Sequence, residues 1–286
     1  MRPERQMIIE KRNSVYPYLD KVRKAQEAAM EISKPLIDDG VGFDFGRTSE
    51  VYAKYRDIYP ARMYERMSEL GIGIAGQRIL DLGTGTGVLP RGMYHYGARW
   101  TGTDISENQI SQARRLSEGK SIEYLVCAAE ELDFADDSFD VVTAAQCFWY
   151  FEPGIIVPKI KRFLKPGGVF MKIYMSYVKE EPITYDSNSL VRKINGNWSG
   201  GNPAIADLKT HYFDDPQTEI IEADLPFTRE TWHGRMLSSR GVLAAMNEDQ
   251  VRQFDAEHRQ MLEEKYPEHF KVKHKIFVTC YRIIKP

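Results

Sequence analysis

The chain has 286 residues, 28% charged and 42% apolar, with a formal net charge of -2. That length allows one large domain or two small ones around a packed core, and the near-neutral balance excludes a bulk basic field that would draw the chain to nucleic acid. Three cysteines, Cys127, Cys147 and Cys280, are widely separated and read as buried free thiols, not a disulfide framework or a Cys-based metal site.

In chain order, the start is polar, with no apolar leader core behind it, and no apolar run reaches the length of a bilayer span. The expectation is a cytoplasmic protein without membrane contact. Residues 1–45 read as an N-terminal helical arm or lid, because Val15, Leu19, Val22, Ala25, Ala29 and Ile32 recur at helical spacing. Pro35 and the Asp38-Asp39-Gly40 cluster end it. A second helical stretch is expected over 49–70, interrupted near Pro60.

From Arg78 the pattern becomes regular. Strand-like runs fall at 78–82, 99–103, 122–127, 141–145 and 168–174, with helical stretches at 88–96, 106–118 and 152–164. Ser106 followed by Gln109 has the spacing of a capping box, and Lys165-Pro166-Gly167-Gly168 is expected to stop the helix before it. The alternation predicts an α/β fold, a Rossmann-like doubly wound sheet with helices on both faces. In such sheets a ligand sits at the C-terminal strand ends, where strand order reverses. Beyond Tyr174 the regularity fades. Residues 177–216 are polar, 219–232 suggest a strand, 235–266 are mostly helical, and 271–284 close the chain as a strand. The domain therefore covers 46–286, with cap insertions at about 177–216 and 229–270.

The most telling stretch is Ile79-Leu80-Asp81-Leu82-Gly83-Thr84-Gly85-Thr86-Gly87-Val88. A glycine turn lets the backbone approach a ligand closely, and Asp104, at the end of the next strand, suits a ribose diol. The spacing is Gly-x-Gly-x-Gly, unlike the pyrophosphate-binding fingerprint. Asp81 would repel a phosphate and suits a ligand with an ammonium group. The bland alternative is a purely structural strand-to-helix turn.

These residues resemble the class I S-adenosylmethionine-dependent methyltransferases. Leu80-Asp81-Leu82-Gly83-Thr84-Gly85-Thr86-Gly87 is similar to the first motif of that family, and Thr103-Asp104-Ile105-Ser106 to its ribose-binding segment. Ala129-Glu130-Glu131-Leu132-Asp133-Phe134, with Ser138-Phe139-Asp140-Val141-Val142, resembles the third segment. Leu164-Lys165-Pro166-Gly167-Gly168 resembles the fourth. The likeness is to the small-molecule branch (trans-aconitate-methyltransferase-like, UbiE-like) and implies a seven-stranded sheet, mostly parallel with one antiparallel strand at 271–284, plus a helical cap.

The resemblance also implies roles. Gly83, Gly85 and Gly87 pass beside the methionine part of S-adenosylmethionine, and Asp81 orients that part. Asp104 accepts hydrogen bonds from both ribose hydroxyls. Ile105 packs on adenine, and Ala129 and Glu130 offer backbone groups to its edge. Gln146 lines the reaction cleft, and Thr84, Ser106 and Gln109 complete the cofactor set. The family often has Asp where this chain has Ala128, which leaves adenine reading to backbone groups or Glu130.

Arg56, in Tyr52-Ala53-Lys54-Tyr55-Arg56, could pair with the cofactor carboxylate as a planar fork, or be an ordinary surface arginine. Trp149 and Tyr150 stand where the related branch has a His-Trp pair, so that histidine base is missing. Their rings suit a sulfonium or cationic substrate, or an apolar plug beneath the cleft. In Thr231-Trp232-His233-Gly234-Arg235-Met236, continuing to Arg240, we expect Arg235 or Arg240 to bind an anionic group on the acceptor and His233 to be the candidate for taking a proton. No histidine spacing suits a metal.

The expected function is methyl transfer by in-line displacement from S-adenosylmethionine to a small molecule, leaving S-adenosyl-L-homocysteine, with no nucleic-acid partner. The alternatives are a methyltransferase acting on protein or RNA, and a non-catalytic S-adenosylmethionine-binding protein.

Overall fold

A computed structural model describes residues 32–35, 37–200 and 213–283. The helix expected over 15–32 lies almost wholly outside them. Ile32 pairs with Phe43 in an antiparallel bridge, so the described end of the arm folds back on itself. Two helices follow, α1 (Ser49–Tyr55) and α2 (Ala61–Glu69), parted by Pro60 at the second N-cap. A proline has no N–H to donate and fits best where a helix begins, which is where Pro60 stands, hence the break.

The regular region then unfolds as expected: β1 (Arg78–Leu82), α3 (Val88–Met93), β2 (Arg99–Asp104), α4 (Glu107–Leu116), β3 (Ile122–Val126), β4 (Phe139–Ala145), α5 (Pro153–Phe163) and β5 (Leu164–Tyr177). Next come α6 (Pro182–Ile194), β6 (Gln217–Thr228), α7 (Arg229–Leu237), α8 (Glu248–Lys265) and β7 (His269–Arg282). The seven strands form one sheet in the order β3-β2-β1-β4-β5-β7-β6. The first five run parallel, and β7 lies antiparallel to both β5 and β6. The single reversed strand sits where the family resemblance places it.

Successive side chains of a strand point to opposite faces, and the core divides accordingly. Ile79, Val141 and Met171 join Met63, Met67, Trp100 and Trp232 on one face. Leu80, Val142 and Phe170 join Ile156, Ile160 and Phe163 on the other. Buried on both sides, the central strands read as continuous apolar runs without alternation.

The late chain departs from expectation in four places. A 13-residue helix, α6, occupies the polar stretch after 177. Its buried face includes Thr184, Ser187 and Asn188 besides Ile183 and Val191, so hydrophobic spacing alone hides it. The strand expected to run to 232 stops at Thr228, whose side chain and that of Thr231 form a capping box that starts α7. The helix expected over 235–266 is two helices, because α8 starts anew at Asn247, which makes a capping box with Gln250. Finally, Lys165-Pro166-Gly167-Gly168 belongs to β5, with a register shift against β4 beside it. No described helix is long and apolar enough to cross a membrane.

Gly87 is the N-cap of α3 with φ of 74°, and a Cβ there would overlap the Tyr124 hydroxyl. Tyr124 is itself held by Ser117 at 2.9 Å. We expect Gly87→Ala to lower unfolding free energy by about 1–3 kcal/mol through strain and displacement, read as a lower urea midpoint at unchanged slope.

Candidate functional site

The chain runs β1-β2-β3 outward in one direction, then returns to place β4 on the far side of β1. The crevice at that reversal is where a doubly wound sheet binds ligands. The glycine turn leaves β1 at this point, with Gly83, Gly85 and Gly87 all in the left-handed region at φ of 59°, 57° and 74°. A Cβ on Gly83 would lie 2.8 Å from Cys147 Sγ, whereas one on Gly85 finds only Gln109 Oε1, at 3.9 Å. Gly85 is thus the position whose missing side chain leaves open space.

Two acids flank the turn. Asp81 is 1% exposed. It accepts from Thr84 Oγ1 at 2.7 Å and Thr143 Oγ1 at 2.6 Å. Burial pushes its carboxyl up to about 6, the two hydroxyls pull it down, and nearby Asp104 raises it slightly. Asp104 ends β2, partly buried. Its Oδ2 accepts from the Gly85 N–H and its Oδ1 from the Ser106 N–H, each at 2.9 Å. Burial raises its carboxyl as well. A carboxylate oxygen has room for a second donor, so both oxygens keep acceptor capacity while their direction is fixed.

A cavity of about 330 Å³ opens beside these groups. Of the expected cofactor residues, Gly83, Gly85, Asp104, Ile105, Gln109, Ala129 and Glu130 line it, together with Tyr150 and with Ala128, the position that departs from the family. The others act from outside the wall. Thr84 spends its hydroxyl on Asp81, and Gly87 starts α3. Ser106 caps α4 through a 3.4 Å bond from Gln109 N–H. Only that half of the expected capping box forms, because the Ser106 N–H goes to Asp104 Oδ1 and not to the Gln109 side chain, whose Nε2 donates to Phe45 carbonyl oxygen at 3.0 Å.

That bond leads to wall residues outside the expected cofactor set. Ile32, Ser33, Lys34, Asp44, Phe45 and Tyr52 cover the cavity from the N-terminal side, and Cys127, Cys147 and Phe151 from the sheet. The covering segment is strapped to the loop after α7: Asp44 N–H donates to Ala244 carbonyl oxygen at 2.9 Å and Arg47 to that of Met246 at 2.8 Å. Only tertiary pairing places it here, and no local motif signals that.

The remaining candidates need correction. Arg240 forms a two-point pair with Asp38, at 2.7 and 3.0 Å, and also donates to Ser199. It ties down the covering segment and is not a free anion ligand. Trp149 packs edge-on to Tyr150 and Tyr174 and does not line the cavity. Gln146, with φ of 64°, donates from Nε2 to Met175 carbonyl oxygen at 2.6 Å, which joins the ends of β4 and β5. Arg56 stacks on Tyr52, a cavity residue, with its guanidinium carbon 4.8 Å from the ring centre.

His233 is 1% exposed and lies in a closed network away from the cavity. Ser187 Oγ accepts from Trp232 Nε1 at 3.0 Å. The Asp255 carboxylate accepts from His233 Nε2 at 2.9 Å. A neutral His233 then accepts on Nδ1 from His258 Nδ1 at 2.8 Å, which leaves His258 Nε2 to accept the Ser187 hydroxyl proton at 2.9 Å. Every ring nitrogen is committed, so His233 is a structural group and not a base facing substrate. Burial holds both imidazoles below the usual histidine range, His258 further than His233, whose Asp255 partner opposes the shift.

Residues 80–171 match a family model described as methyltransferase domain. Ubiquinone biosynthesis O-methyltransferase from Pseudomonas fluorescens is 32% identical over 143 residues, 49% of this chain and 59% of that protein. The protein of the same name from Dechloromonas aromatica is 32% identical over 133 residues, 45% of this chain and 55% of that one. The chain thus spans less than two thirds of the length of these curated relatives. Among solved structures, a protein of Anaeromyxobacter dehalogenans assigned provisionally to the type II methyltransferases superposes with a TM-score of 0.56 at 20% identity, over 80% of this chain and 98% of that one. Phosphoethanolamine N-methyltransferase 2 of Haemonchus contortus gives 0.50 at 19% identity, over 83% and 58%. These two likenesses establish the fold.

Replacing His233 with alanine strands hydrogen-bonding groups on Asp255 and His258 in the interior. His233→Ala should cost about 2–4 kcal/mol of unfolding free energy by chemical denaturation, while calorimetric affinity for S-adenosylhomocysteine stays within about twofold.

Proposed function

We propose that this chain, which carries a class I methyltransferase domain, transfers a methyl group from S-adenosylmethionine to a small-molecule acceptor. The observation that carries the reading is the Asp104 carboxylate at the cavity wall, aimed by two backbone N–H groups, one of them from the glycine turn.

The residues present fit the cofactor. Gly85 leaves open the space a side chain would fill. Gln109 Oε1 is a buried acceptor with no donor among the described residues. A cavity of about 330 Å³ is within the usual range for ligand pockets. Asp104 would take the ribose hydroxyls, Ile105 the adenine face, and Ala129 and Glu130 its edge. Asp81, held by two threonines, supplies a fixed negative charge toward the amino-acid end, and Arg56 a positive one for its carboxylate.

S-adenosylmethionine supplies an already activated methyl group. The protein's task is therefore to hold the acceptor in line and exclude water. Good alignment alone can lower such a barrier by roughly 7–11 kcal/mol. A general base is needed only for an acceptor whose proton must leave during transfer, so the loss of His233 as a candidate does not weaken the reading. Ile32, Ser33, Lys34, Asp44 and Phe45, strapped to the loop after α7, cover the site, which suits a compact acceptor better than a macromolecule. The likeness to ubiquinone biosynthesis O-methyltransferases supports a small acceptor too.

Two experiments test this. Labelled S-adenosylmethionine offered with carboxylic acids, amines, phenols and quinol-like compounds should give label in at least one product; no transfer to any, alongside transfer to a protein or RNA fraction, would reverse the choice of acceptor class. The second is a pH series. Burial pushes the Asp81 carboxyl up to about 6. A bound ammonium group favours its charged form, so binding must expel a proton below that pH. Affinity for S-adenosylhomocysteine should fall as pH drops through about 6, by at most about tenfold per unit for one proton. Asp81→Asn should flatten the profile.

A further inference from the structure

The C-terminal end of β5, the N-terminal half of β7 paired with it, and α7 hold an arrangement that the cofactor does not account for. Arg235, on α7, is 8% exposed. Its Nε has no hydrogen-bond partner, and the guanidinium makes no ion pair among the described residues. It lies over the face of Tyr177, with its central carbon 5.4 Å from the ring centre. The charges nearest it are not acids. Arg56 is close enough to be its main repulsive neighbour, and the surrounding hydroxyls belong to Tyr177, Tyr52 and Tyr174.

A second buried group is equally unmatched. His274, on β7, is 0% exposed. It donates from Nδ1 to Val272 carbonyl oxygen at 2.8 Å, which leaves Nε2 as a lone pair with no donor. Burial and the positive charges of Arg235 and Arg56 hold this ring down to about 4. Burial without an acid likewise draws the Arg235 guanidinium down to about 9, so it is still charged at neutral pH.

A buried charge is normally paired. The largely buried Arg240 and Arg91 have Asp38 and Asp57. Arg235 is desolvated and positive without an ion pair among the described residues, and its neighbour is another cation, Arg56, rather than an acid. Such a group is costly when unpaired and becomes favourable when an anion arrives.

We propose that Arg235 is the anchor for a carboxylate on the methyl acceptor, so that the acceptor is a small organic acid whose body rests among Tyr52, Tyr174 and Tyr177. The inference rests on the methyl-transfer reading above. One guanidinium is available once Arg56 serves the cofactor carboxylate, and its planar fork matches one carboxylate. The position agrees as well. Tyr52 lines the cofactor cavity, Arg56 stacks on it, and Tyr174 and Tyr177 end β5 beside β4. The anchor therefore stands next to the cofactor's amino-acid end, not its adenine end.

The test uses benzoate, with benzamide as its neutral match, titrated by calorimetry into protein already saturated with S-adenosylhomocysteine. Saturation satisfies the cofactor's own carboxylate beforehand and so separates the two sources of that anion. The parent should bind benzoate at least about tenfold more tightly than benzamide. Arg235→Met should abolish that preference, Arg235→Lys should retain part of it, and neither should change S-adenosylhomocysteine affinity more than about threefold. Arg235→Met should also melt no lower than the parent without ligand, because an unpaired buried charge has been removed; a merely structural arginine would melt lower. In the parent alone, benzoate should move the His274 ring proton signals by offsetting the charge that depresses it.

A parent that takes up S-adenosylhomocysteine but binds benzoate no better than benzamide overturns the inference. So does an Arg235→Met protein that keeps the benzoate preference, or one that loses S-adenosylhomocysteine instead. A parent that ignores S-adenosylhomocysteine altogether overturns the methyl-transfer reading itself.

Discussion

The site depends on a carboxylate whose direction is set by backbone. Asp104 accepts one N–H from the glycine turn after β1 and one from the first residues before α4. A side chain held this way cannot be repositioned without disturbing both connections. The turn can make its contribution only because Gly85 adopts a left-handed conformation, and α4 only because Ser106 caps it in an extended one. Parallel pairing of β1 with β2 brings the two connections side by side at the C-terminal ends of the strands. The acid, the turn and the helix start are therefore one construction, made where the strand order reverses.

Around that construction the protein tolerates electrostatics it would avoid elsewhere. Two acids, Asp81 and Asp104, are sequestered on the β1-β2 side, and their carboxyl groups are pushed upward. Two arginines and a neutral histidine are gathered on the β5-β7 side, and Arg235 and His274 are pushed downward. Unsatisfied charge of either sign is unfavourable in an interior. Its separation into a negative region beside the cavity and a positive region beyond Tyr52 is what the proposed ligands, with an ammonium group, a ribose and carboxylates, would complement. Strain and mismatch of this kind collect at functional sites. The same polar vocabulary is fully matched elsewhere: the Ser187-His258-His233-Asp255 network has a partner for every ring nitrogen, and it holds α6, α7 and α8 together.

The parallel half of the fold was legible because its signals are local. Strand runs bounded by glycine turns, and an acid one strand later, need no knowledge of distant contacts. The resemblance carried by 80–87 and 103–106 then supplied the reversed strand. The cap was less legible. Polar residues on the buried face of α6 blurred its periodicity, and the threonine pair at 228 and 231 turned an expected strand into a helix start. The residues around Asp44 that cover the cavity are held by partners some 200 positions away, Asp44 by Ala244 and Arg47 by Met246. Among the site residues, Arg235 and Arg240 looked alike in sequence. Asp38, far along the chain, is what commits one and leaves the other unmatched. His233 drew notice through its glycine and arginine neighbours, although its chemistry is decided by Asp255 and His258 on α8.

The most direct measurement is calorimetric titration of S-adenosylhomocysteine into the parent and Asp104→Ala proteins under identical conditions. If the oriented carboxylate grips the ribose, the parent binds and the variant binds more weakly by about 1.5–3 kcal/mol, the range for hydrogen bonds to a charged group, while its melting temperature shows that it remains folded. Equal affinity in the two proteins, or no uptake by the parent, would contradict the account.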